Sequence, residues 1–101
     1  MIPNALMLSL IARQSLEAEL VDQLSELADY PLFLVSNVRG HNDTHHGLTV
    51  AEQVEGTAPL IRLSLFTDEA TANRIIDHLR EHFRNAGIRW WRIPVESGLI
   101  E

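Results

Sequence analysis

Twice along this chain the apolar residues change their spacing from two to three and four, and that change limits the possible folds more than any other feature. Ile61, Leu63 and Leu65 alternate with Arg62, Ser64 and Phe66, the period of a strand with two distinct faces. Directly afterwards Ala72, Ile75, Ile76, Leu79, Phe83 and Ala86 keep to one side of a helix. The first half repeats the order. Leu6, Leu8 and Leu10 share one face of an apolar run from Ala5 to Ala12, with Met7, Ser9 and Ile11 on the other, as suits a central buried strand. Leu16, Leu20, Leu24 and Leu27 then form a helical stripe.

Each half is completed by a second strand. Ser15 is the expected cap of the first helix, with Glu17 and Glu19 near its positive end, and Pro31 stops it. Leu32 to Arg39 is rich in strand-favouring residues. Thr67 is the expected cap of the second helix, ahead of Asp68 and Glu69, and Gly87 is expected at its C-terminal closure. Ile88 to Val95 forms the last strand, which Pro94 places at an edge or at its end. The order β-α-β-β-α-β is that of an α+β, ferredoxin-like fold, an antiparallel sheet with both helices on one face. The other face would remain apolar, so self-association is expected.

Size and composition narrow the function. A chain of 101 residues is one domain, large enough for a core without metal or disulfide staples. No apolar run reaches the roughly 20 residues of a membrane span. The short apolar stretch near the N-terminus lacks a basic leader and stops at Arg13, so a cytoplasmic, not membrane-embedded protein is expected. The absence of cysteine removes thiolate nucleophiles, disulfides and zinc fingers. A net charge of −6 is poorly suited to neutralising phosphates, which argues against nucleic acid as a partner. No G-x-S-x-G, Walker or dinucleotide glycine pattern occurs, so there is no nucleotide signature and no catalytic set.

Between the second and third strands the periodicity fails. Gly40 to Gly56 has glycines at both ends, expected to supply positive φ, and a polar first half; connections of this length in a compact domain are commonly functional. His41, His45 and His46 lie in it beside Asp43. Neutral imidazole with carboxylate suits copper(II), zinc, nickel or cobalt, and a locally helical loop would put His41 and His45 on one face. Polar loops also collect histidine without using it. His78 and His82, four apart on the second helix, form another pair, with His82 placed at the edge of the apolar stripe and His78 further towards solvent. Trp90 and Trp91 must point to opposite faces of the last strand, one under the helices and one towards the open face or a subunit interface.

The segment Gly40-His41-x-x-x-His45-x-Gly47-Leu48-x-x-Ala51-Glu52-Gln53-Val54-x-Gly56, with Trp91-x-x-Pro94-Val95 near the end, resembles a small PII-like family whose genes often stand beside heavy-metal efflux pumps of the resistance–nodulation–division type. The resemblance covers almost the whole chain. It implies a homotrimer of ferredoxin-like subunits, with residues 40–56 equivalent to the T-loop of PII proteins. It also implies a ligand cleft between subunits near the base of that loop, carried here onto Gly40, Gly47, Glu52 and Gln53, and an efflux pump or its regulator as partner. The chain departs from signal-transducing PII proteins in lacking lysine altogether, and Arg84-Asn85-Ala86-Gly87 replaces their phosphate loop. Three functions follow as expectations. The first is a non-enzymatic sensor tied to heavy-metal homeostasis, with His41, His45, His46 and Asp43 on the metal. The second is a small-molecule enzyme of the ferredoxin-like barrel type. The third is a plain interaction module with incidental histidines.

Overall fold

The computed structural model describes residues 5–28, 32–41 and 57–101. Among the described residues four strands and two helices appear in the expected order: β1 Leu6–Arg13, α1 Glu17–Leu27, β2 Phe33–His41, β3 Thr57–Thr67, α2 Glu69–His82 and β4 Arg89–Pro94. All pairings are antiparallel and the sheet order is β2-β3-β1-β4. The fold is therefore α+β and ferredoxin-like. The central pair β1–β3 holds the longest alternation of apolar residues, and Pro94 ends an edge strand, where its missing N–H breaks no ladder.

Burial follows the pleat. Leu6, Leu8, Leu10 and Ala12 of β1 and Ile61, Leu63 and Leu65 of β3 form one buried layer. Leu20 and Leu24 of α1 and Ala72, Ile75, Ile76 and Leu79 of α2, joined by Phe83, close over it. The register carries the opposite face across the sheet: Leu34, Ser36 and Val38 of β2, Leu60, Arg62, Ser64 and Phe66 of β3, Met7, Ser9 and Ile11 of β1, and Arg89, Trp91 and Ile93 of β4. No described helix covers that face.

Several local expectations are corrected. Ser15 caps nothing; it lies in a short 3-10 turn, Gln14–Leu16, and Leu16 precedes α1 with no side-chain bond. Thr67 is still the last residue of β3, so the cap of α2 is Asp68, whose Oδ1 accepts from the Thr71 N–H at 2.7 Å. Helix α2 ends at His82, earlier than Gly87 implied; Asn85 and Gly87 both take positive φ in the turn that follows. Gly40 is no loop glycine with positive φ. It is in extended β2, where a Cβ would stand 2.7 Å from Leu60 Cδ1, so it leaves room for a cross-strand leucine.

Candidate functional site

Strand β2 carries the first loop histidine to the end of the sheet. His41 is its last residue and is exposed, paired in register with Thr57 at the start of β3. Regular pairing thus continues to the point where both strands meet residues 42–56. Asp43, His45, His46, Gly47, Glu52 and Gln53 lie outside the described residues. Of the expected metal ligands, His41 alone is placed, and one imidazole does not make a site. No group of three or more histidine, aspartate or glutamate side chains able to hold an ion occurs among the described residues.

The second histidine pair is placed in full, with its exposures reversed from expectation. His78 is half-buried because it turns towards α1, where its Nε2 meets Gln23 Oε1, whereas His82 is exposed. The His82 Nδ1 lies 3.0 Å from the backbone oxygen of His78. Their rings stack with centroids 4.0 Å apart and planes inclined by 17°. Sequence spacing signals the pair but not Gln23, which lies 55 residues away in the chain. The neighbouring Asp77, Arg80, Glu81 and Arg84 are exposed, as a solvated helix face requires, with Arg80 and Asp77 3.7 Å apart.

The tryptophans divide between the faces as expected. Trp90 opposes Leu10 on the helix side, and Trp91 opposes Ser9 on the open side. Each meets an arginine: Arg92 at 5.8 Å from the Trp90 ring centre and Arg62 at 6.0 Å from that of Trp91. Arg62 belongs to β3 and Trp91 to β4, so the guanidinium spans β1 above Ser9. That explains how Ser9 is fully buried on an uncovered face. Its Oγ and the Arg62 Nε are both buried without a hydrogen-bond partner among the described residues. Alternation in β1 and β3 signals these positions, but not the arginine's reach across a strand.

Beside Trp90 the end of α2 stands off the sheet. A cleft of about 330 Å³ opens there, walled by Leu10, Ile76, Leu79, Phe83, Ile88 and Trp90, with Arg80, Arg84, Asn85 and Gly87 completing it. Apolar walls with two guanidinium groups suit a small molecule carrying an anionic group. None of the residues lining it forms a nucleophile–base pair.

No helix among the described residues is long and apolar enough to cross a membrane. No curated protein matches the chain. Among solved structures it is similar to a DUF3240 family protein of Shewanella baltica, with 20% identity over 97% of this chain and 98% of the other and a TM-score of 0.77. It is also similar to a PII-like signalling protein of Thermus thermophilus, with 24% identity, coverage of 90% and 85%, and a TM-score of 0.65. CPII, a nitrogen regulatory PII-like protein of Thiomonas intermedia, was solved bound to ADP, AMP and bicarbonate; it is 11% identical, with 96% of each chain covered and a TM-score of 0.73. These likenesses show that the fold is PII-like. The family of unknown function DUF3240 matches residues 2–100, and the chain is a member of it.

Proposed function

We propose that this protein is a non-enzymatic, PII-like sensor of heavy-metal status that works as a homotrimer and reads a divalent transition ion through the histidines at the β2–β3 connection. The observation that carries the reading is the position of His41. It stands exposed at the end of a continuous β-ladder, at the start of a segment that adds His45, His46 and Asp43. A rigid strand end followed by further ligands is a reasonable base for an ion whose binding reshapes the segment. The likeness to PII-like signalling proteins supports a role in which such a change is read by a partner. A heavy-metal efflux pump or its regulator fits that role.

Ligand chemistry favours a metal over a nucleotide as the signal at that segment. The chain has no lysine, while imidazole and carboxylate suit copper(II), zinc, nickel or cobalt. The cleft beside Trp90 supports a second, small anionic ligand. Isothermal titration of the wild type beside a His41→Ala, His45→Ala double variant tests the metal reading. The wild type should bind with an affinity on the order of micromolar, weaker than a closed four-ligand site, and the variant should lose at least tenfold. Equal affinity in both proteins would reject it.

A further inference from the structure

We propose a second metal site, separate from the β2–β3 connection, at the C-terminal end of α2: His78 and His82 chelate one borderline divalent ion, copper(II) most tightly. Both rings are already prepared as ligands. The oxygen atoms they meet can only accept, so His78 presents Nε2–H to Gln23 Oε1 and His82 presents Nδ1–H to the backbone oxygen of His78. Each neutral ring is thereby left with one lone pair, on His78 Nδ1 and His82 Nε2. Metal-ligating histidines are oriented in this way, with the other ring nitrogen donating to an oxygen.

The spacing fits as well. Residues four apart lie one above the other on a helix, and these two rings stack with centroids 4.0 Å apart. Bonds of about 2.0 Å from one ion hold two nitrogens within about 4 Å of each other, so rings this close can share an ion once they splay out of the stack and turn their in-plane lone pairs towards it. The helix end adds an attraction for positive charge. His82 is the last residue of α2, where unsatisfied carbonyls carry partial negative charge, and the whole chain is at −6. Water completes the coordination, since His82 is exposed. Two imidazoles select copper(II) over nickel and zinc.

The chain has five histidines, which makes the test clean. A His41→Ala, His45→Ala, His46→Ala variant keeps only the α2 pair. Copper(II) titrated into it should bind one ion per chain, with a Kd on the order of ten micromolar and a paramagnetic resonance spectrum showing two nitrogen donors. Adding His82→Ala, an exposed change that leaves the core intact, should weaken binding at least tenfold and remove one nitrogen from the spectrum. Gln23→Leu should weaken it less, by freeing the His78 ring. Absence of copper binding in the triple variant would overturn the α2 site and leave the loop reading untouched. Binding indifferent to His82→Ala would also overturn it.

Discussion

The two faces of the sheet are built from the same strands and similar residues, yet they end in opposite states. Arg92 and Trp90 meet on the helix side, where the Arg92 guanidinium also donates to Asn73 Oδ1 of α2 at 2.6 Å. Arg62 and Trp91 meet in the same way on the open side, but the Arg62 Nε and the Ser9 hydroxyl beneath it have no acceptor among the described residues. Around them Trp91 is 43% exposed, Ile93 46% and Leu34 56%. A buried donor without an acceptor costs about 1–3 kcal/mol, and an apolar sheet face in water adds to that. Over β1 and β3 the helix side is a finished core, open only at the cleft beside Trp90, itself 40% exposed, whereas the open side has the composition of an unfinished interface. The same alternation produced both, and the helices cover only one.

The sharpest way to break this comparison is to damage each face in turn. Leu63→Ala, in the fully buried layer of β3, should cost about 2–5 kcal/mol through lost burial and a residual cavity. Chemical denaturation would show it as a lower midpoint with an unchanged slope. Trp91→Ala should instead act on assembly. If copies of the chain cover the open face, this aromatic anchor is worth about 2 kcal/mol at each interface. Multi-angle light scattering should then show a trimer for the wild type and a smaller mass for the variant at micromolar concentration. A monomeric wild type would reject the trimer and leave the open face without its expected cover.

Period and spacing made the architecture legible. The strand–helix alternation, the buried stripes of α1 and α2, the opposed tryptophans and the edge position of β4 all follow from where apolar residues recur. Helix ends are ambiguous in sequence where two capping residues stand together: Thr67 and Asp68 are both good caps, and strand pairing of Thr67 with Leu6 decides for Asp68. The histidine pair was visible as a spacing, but its exposures depend on packing against α1, and Gln23 carries no local signal that it will face His78. Gly40 read as a turn because glycine is permissive, although here it makes space for Leu60. Of the loop ligands only His41 is placed, so the spacing of the others remains the basis for the metal reading.

The smallest expected effect concerns the lid of the finished face. Asp68 starts α2, the helix that supplies Ala72, Ile75, Ile76 and Leu79 to the core. The Thr71 backbone N–H, and next its hydroxyl, hold the Asp68 carboxyl below its ordinary value; Arg74 lowers it further, against a slight opposing effect of burial. A carboxyl depressed in the folded state stabilises the protein at pH above the unfolded value, and that contribution fades as pH falls through the folded one. Stability should therefore hold from neutrality to about pH 4 as far as this group is concerned, and decline below it. Asp68 is only half-buried, so solvent screening keeps the pH-dependent part small. Asp68→Ala should cost about 1 kcal/mol at pH 7 through the lost cap. Asp68→Asn keeps a capping oxygen, so it should nearly match the wild type at neutral pH while removing this group's share of the acid decline. Thermal melts of the three proteins between pH 7 and 3 separate the cap from the charge: parallel wild-type and Asp68→Asn curves would show that the carboxylate contributes geometry alone, and coincident Asp68→Ala and wild-type curves would show that α2 is held over the sheet by its apolar stripe without help from its first turn.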